Sequence, residues 1–292
     1  MTAHDPTPDE HDRDEHDLGL AHDLPTLLNR RRALGLLSGV GLSAALAACG
    51  LQERAIDEPT GNPAPSGGIP PPDQAGTRPA TKVGEGDVPA ETGGPFPADG
   101  SNGRNVLVQT GIVRSDITGS FGGPKGVATG VATTLALTLL DHDNGKTKPL
   151  EGAAIYVWHC DSKGRYSMYD QHLAHQNYLR GLQVADSKGR VTFRTIFPAT
   201  YGGRWPHIHF EVFESEESAT RTRGLLRTSQ IALPEKACRQ VYAAEGYETS
   251  RANIELTSLR SDIVFRDGYE LQMAKVTGSV NDGMTIALNI LV

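Results

Sequence analysis

The sequence predicts an all-β protein, an antiparallel β-sandwich with few short helices, preceded by a disordered N-terminal region. Three observations carry that expectation. Short alternating or apolar runs, rich in β-branched and aromatic residues, recur from about Asn105 to the last residue. Between them stand Asp143-Asn144-Gly145 and the repeated Asp-Ser-Lys-Gly at 161–164 and 186–189, turn-forming groups that tolerate positive φ. Ahead of them lies polar, charged or Pro- and Gly-rich sequence, broken by one weakly apolar run.

In chain order the strand segments are 106–113, 130–141, 153–160, 189–196, 207–213, 229–234, 270–280 and 284–292. The best helical segment runs from Glu235 to Ala244, directly after Pro234. The domain organisation follows: an acidic tail and signal-like segment over 1–49, a Pro- and Gly-rich tether over 50–87, and the folded unit over 88–292.

The net charge is −7, and its placement says more than its size. Residues 1–28 hold eight acids against Arg13 alone, which leaves the remaining chain neutral. No basic excess is left for a nucleic-acid-binding surface, so that class is excluded. His4, His11, His16 and His22 fall in this acidic tail and read as solvated residues.

Arg30, Arg31 and Arg32 precede a weakly apolar run from Leu34 to Ala48. Fifteen residues make a helix of about 22 Å, short of a ~30 Å hydrocarbon core. The segment therefore reads as a secretory signal rather than a transmembrane helix. Its consecutive arginines resemble a twin-arginine signal. Leu46-Ala47-Ala48-Cys49-Gly50 resembles a lipobox, with Cys49 as the lipidated residue; ordinary cleavage at the small residues is the alternative. The expectation is an exported protein, either secreted or lipid-anchored at Cys49 on the outer face of a bacterial membrane, with no other membrane contact. Cys160 and Cys238 remain as an even pair, either a disulfide or two buried thiols.

The chemistry-bearing residues lie in the middle of the chain. His207-Ile208-His209 sits inside an apolar strand, where positions i and i+2 share a face and can converge on one metal. Six residues before His207 stands Tyr201 on a Gly-flanked turn, with Arg204 between them, and Tyr166 follows the 161–164 turn. A histidine pair alone supports only an unspecified metal.

The run from 149 to 213 resembles the catalytic domain of the intradiol ring-cleavage dioxygenases. The motifs that carry the resemblance are Trp158 and Asp161, Gly164-Arg165-Tyr166-Ser167, Arg180-Gly181, Thr195-Ile196-Phe197-Pro198-Ala199-Thr200-Tyr201 and Arg204-Trp205-Pro206-His207-Ile208-His209. The resemblance implies the intradiol type of β-sandwich and a non-haem iron(III) held by Tyr166, Tyr201, His207 and His209. Phenolate oxygens are hard anionic donors suited to that ion. It further implies a catechol-type substrate and O2, with ring cleavage between the two hydroxylated carbons to a muconate-type dicarboxylic acid. Tyr201 would be the displaced ligand and act as a base. Arg204 would lie against the reacting ring and Gln230 would hydrogen-bond near it, with Pro95 and Phe96 as candidate pocket residues. Where catechol dioxygenases usually carry a helical dimerisation segment, the tether and signal-like segment stand here. Two rival readings account for part of the pattern: a zinc hydrolase using the histidine pair, and a non-catalytic β-sandwich lipoprotein binding carbohydrate or a protein partner.

Overall fold

The computed structural model describes residues 84–143 and 146–292. The expected signal, lipidation site and all but the end of the tether lie outside the described residues, as does the Asn144-Gly145 turn. Nine strands and three short helices follow in order: β1 (Ala132–Asp143), β2 (Lys146–Pro149), β3 (Ala154–Trp158), β4 (Arg180–Val184), β5 (Arg190–Ile196), β6 (His207–Phe213), α1 (Glu216–Thr220), β7 (Leu225–Ala232), α2 (Glu235–Tyr242), α3 (Glu248–Asn253), β8 (Lys275–Ser279) and β9 (Gly283–Leu291).

The strands form two packed sheets, so the all-β sandwich expected from the alternating runs is what the chain adopts. One sheet has the order β2-β1-β9-β8, with β5 also paired to the long β1; the other has the order β4-β3-β6-β7. Every pair is antiparallel except β1 with β9, which run parallel from Thr133↔Met284 to Leu140↔Leu291. That pairing is a correction to a purely antiparallel sandwich. Side-chain alternation cannot reveal strand direction, because the period of two is the same for both.

Alternation does decide which side chains meet between the sheets. Leu135, Leu137 and Leu139 of β1, Val191 and Phe193 of β5, and Ile286 and Ile290 of β9 share a core with Ile155 and Val157 of β3 and Ile208, Phe210 and Val212 of β6. Their strand neighbours His207, His209 and Glu211 therefore point to the outer face of the second sheet. That face is not left to solvent, since all seven residues of β6 are buried. A second apolar cluster covers it, joining Tyr156, Trp158 and Leu182 to Ala98, Val106, Leu107 and Ile112.

The covering segment accounts for the main error of the strand expectations. Residues 106–113 form turns, not a strand, with Gln109 N donating to Val106 O and Ile112 N to Gln109 O. Gly111, at φ +101°, breaks the extended path. The apolar residues are there to dock on the sheet: Val106, Leu107 and Ile112 are buried while Val108 stays exposed. Each fully buried side chain of this size stabilises the roof by ~1.5–3 kcal/mol.

Two strands escape the list of apolar runs. β2, Lys-Thr-Lys-Pro, is exposed throughout and carries no apolar alternation. β4 was marked only through the Arg180-Gly181 motif. α2 begins at Glu235 as expected and ends two residues early, burying Ala237, Cys238, Val241 and Tyr242. Cys238 belongs to the inter-sheet core and Cys160 to the outer cluster. Both are free thiols, which removes the disulfide alternative.

Before the first strand the chain runs along β7 as a strap. Arg227 donates to Asp87 at 3.0 Å in a buried ion pair. Val88 N donates to Leu291 O and Glu91 N to Thr228 O. The strap then reaches Gly94, where an added Cβ would come within 3.2 Å of the His209 ring.

Candidate metal centre

Four side chains from three segments converge under this roof. His207 and His209 come from β6, Tyr166 from the turn after β3, and Tyr201 from the loop between β5 and β6. Tyr166 Oη lies 3.3 Å from Tyr201 Oη and 3.4 Å from His207 Nε2. Tyr201 Oη is 3.3 Å from His207 Nε2, which in turn is 3.1 Å from His209 Nε2. The sequence named these four together, and the fold brings all four together.

Local structure explains how each is held. Asp161 caps the turn that delivers Tyr166, accepting from Lys163 N and Arg165 N and bonding the Arg165 guanidinium. Buried Arg180 donates to Ser167 Oγ and O, fixing the residue next to Tyr166. On the other side Thr200 Oγ1 donates to Arg204 O and Arg204 N to Tyr201 O, closing the Tyr201 turn. Ser250 and Asn253 of α3 bond Thr200 from below. His207 Nδ1 donates to Trp205 O, which leaves the Nε2 lone pair facing the other three donors. Trp158 stacks on His209 with ring planes 6° apart and centroids at 4.9 Å.

The electrostatics point to a cation. Burial holds the Tyr166 phenol well above its ordinary range, and Tyr201 adds to the effect. Burial pushes Tyr201 up to about 12, with Arg204 pulling the other way. The same burial, aided by Arg204, takes His207 down to about 3, and His209 falls well below its usual value. Left to themselves these are four neutral side chains joined by long hydrogen-bond contacts of 3.1–3.4 Å. A metal ion reverses that logic by favouring both phenolates. The spacing fits as well: donors held ~2.0 Å from one ion at tetrahedral angles lie about 3.3 Å apart. Two phenolates and one hydroxide would neutralise a ferric ion, so its burial would leave no net charge in the interior.

Arg204 stands beside the cluster. Its Nη2 donates to Gln230 Oε1 at 2.6 Å and its Nε to Asp262 Oδ2 at 3.0 Å. Gln230 is the cross-strand partner of His209, as Trp158 is on the other side, and its Nε2 donates to Thr92 O of the strap. The structure thus puts Gln230 against Arg204, where the sequence placed it. Asp262 was missed. It sits in an ordinary-looking Arg-Ser-Asp-Ile stretch with no motif around it.

A half-open cavity of about 170 Å³ leads to the cluster, lined by Phe96, Gly164, Arg165, Tyr166, Tyr169, Asp170 and Tyr201. Phe96 packs on Tyr166 with centroids 4.7 Å apart. Of the two candidate pocket residues, Phe96 lines this cavity and Pro95 does not. A small aromatic ring entering here would meet Phe96 and both tyrosines.

A family described as Dioxygenase matches residues 121–223, a stretch that holds all four donors and Arg204. The chain is 42% identical over 55 residues to a catechol 1,2-dioxygenase of Pseudomonas sp. (strain EST1001), covering 19% of this chain and 18% of that protein. It is 33% identical over 93 residues to catechol 1,2-dioxygenase 1 of Acinetobacter lwoffii, covering 25% of this chain and 29% of that protein. The chain thus spans less than a third of the length of these curated relatives. Its fold is that of a solved intradiol ring-cleavage dioxygenase from Tetranychus urticae, with a TM-score of 0.51 at 24% identity over 62% of this chain and 86% of that one. Sandwich and matched stretch agree: in fold, and in sequence over residues 121–223, the chain is similar to the intradiol ring-cleavage dioxygenases.

Proposed function

We propose that this protein is an exported non-haem iron(III) dioxygenase that cleaves catechol-type aromatics between their two hydroxylated carbons, inserting both atoms of O2. The observation that carries the reading is the convergence of Tyr166, Tyr201, His207 and His209 donor atoms within 3.1–3.4 Å steps at the foot of an aromatic cavity. Bound iron(III) supplies a Lewis acid and an electron acceptor for the catechol ring.

The residues of the chain do the rest. Phe96 and Tyr169 flank the entering ring, and the roof keeps water from the donors. Tyr201 is half-buried and on the cavity wall, whereas Tyr166 is 3% exposed. Tyr201 would therefore be the donor with room to move aside, its Oη placed to take a proton from a substrate hydroxyl. Tyr166, His207 and His209 stay in place. Arg204 offers fixed positive charge where negative charge develops on the ring. Gln230 holds that guanidinium from β7.

The test is optical and chemical. Iron-loaded protein absorbs visible light through tyrosinate-to-iron charge transfer, and the band shifts when catechol is added without oxygen. With 18O2, a muconate-type product carries two labelled atoms. Tyr166→Phe weakens the band and abolishes cleavage without unfolding the protein. Colourless protein at full metal occupancy, or unchanged turnover in that variant, overturns the reading. Export rests on Arg30 to Arg32, the apolar run and Cys49; export undiminished after lysine replacement of the three arginines counts against the twin-arginine route.

A further inference from the structure

We propose that Asp262 is the positioning residue of this site, fixing the plane and place of the Arg204 guanidinium beside the four donors; the proposal rests on the dioxygenase reading above. Asp262 is fully buried and lies outside the matched stretch. All its oxygen capacity is directed. Oδ2 accepts from Arg204 Nε at 3.0 Å and from Trp205 N at 2.5 Å. Oδ1 accepts from Val264 N at 2.8 Å and from Phe265 N at 3.3 Å. The carboxylate is thus rigidly held by its own loop and grips two consecutive residues of the segment that leads into His207.

Arg204 needs such a grip. Gln230 alone, bonding Nη2, would leave the guanidinium free to swing about one contact. A second in-plane anchor at Nε stops that rotation, and the anchors come from β7 and from the 258–265 loop, so neither moves with the Tyr201 turn. The placement matters because Arg204 lies three residues from both Tyr201 and His207, and its partner Gln230 is the cross-strand neighbour of His209. Asp262 balances the guanidinium charge and keeps a buried arginine from being unpaired, a state that is strongly unfavourable.

Glu91 is the other carboxyl whose charge interacts with Arg204, but it is poorly suited to the task. Burial and Asp267 raise it to about 7, so near neutrality half of it is uncharged. Burial works against Asp262 too, yet Arg204 and then His207 hold it below the ordinary carboxylate range. The permanent anion at Arg204 is Asp262.

The experiment is a double-mutant cycle on the full iron-loaded chain: wild type, Asp262→Asn, Arg204→Ala and both together, each followed by kcat and KM for catechol and by urea unfolding. Asp262→Asn lowers kcat roughly 10–100-fold, the cost expected of a misplaced catalytic group, with KM nearly unchanged. In the Arg204→Ala background the same substitution lowers kcat no further, because its effect runs through the arginine. Asp262→Glu, which keeps the charge on a longer arm, recovers part of kcat and covers the case in which the Asn variant does not fold. Equal losses of kcat with and without Arg204, or a loss of stability with kcat per folded molecule intact, overturn the proposal. A wild-type protein with no visible band and no turnover sinks the dioxygenase reading and this one with it. Active wild type with an unaffected Asp262→Asn variant sinks this one alone.

Discussion

The chain contains the pentapeptide Asp-Ser-Lys-Gly-Arg twice, at 161–165 and 186–190, and the two copies fold almost identically. In each, aspartate Oδ1 accepts from the backbone of the lysine and the arginine, and Oδ2 accepts from arginine Nε and Nη2, all between 2.7 and 3.0 Å. In each, glycine takes a positive φ, +80° and +73°. Their settings differ. The first pair is 5% and 32% exposed for Asp161 and Arg165; the second is 43% and 58% exposed for Asp186 and Arg190. The first turn delivers Tyr166 to the cluster with Tyr201, His207 and His209, and the second merely joins β4 to β5. Five residues determine the turn, and the residue after it determines what the turn is for.

That contrast predicts a graded series. Asp161→Ala removes the nearly buried carboxylate that closes the turn, costs about 2–3 kcal/mol, under the 3–5 of a fully buried pair, and lowers turnover at least tenfold by releasing Tyr166. Urea unfolding and kcat of iron-loaded protein measure both. Gly189→Ala comes next for stability alone: its Cβ would lie 2.2 Å from Leu139 O, a backbone atom that cannot step aside. About 2–3 kcal/mol is expected from crowding and left-handed φ together, with turnover per folded molecule intact. At Gly164→Ala the added Cβ meets the Tyr201 Cβ at 3.1 Å. Stability falls by about 1–2 kcal/mol, and on the proposed ligand role of Tyr201 the visible band shifts. Were the band unmoved, the turn would not be positioning the site.

Asp186→Ala has the smallest effect of the four. Hydrogen bonds from Arg190 pull the Asp186 carboxyl down to about 2, from 3.8, in an exposed setting. A depressed carboxylate contributes stability that is present above pH 3.8 and lost as pH falls through about 2. Titration by carboxyl NMR reads this directly, and an ordinary value there would show that the second turn is not closed in solution.

Legibility in the sequence followed how local each feature is. The His-x-His spacing, the glycine-framed tyrosines and the two turns are local, and all were readable. Gln230 was readable from the motif, and the register then explained it, because pairing to His209 leaves that position no other face. The roof over 106–113 was not, since Val-Leu-Val reads as a strand until one knows that a sheet face awaits covering. β2 lacked any apolar signal. Asp262 lies 58 residues from Arg204 along the chain, so only folding reveals it.

The strap has a consequence best put mechanically. From Gly84 the strap reaches the His209 ring ten residues later, at Gly94, so a pull along the strap is aimed at the four-residue cluster. It is intercepted on the way. The Asp87–Arg227 ion pair and the Val88–Leu291 hydrogen bond come first in line, and they couple the load to an edge strand and to the end of the other sheet. They act as a strain relief on a cable: the lead can be tugged while the connection at Gly94 and His209 stays seated.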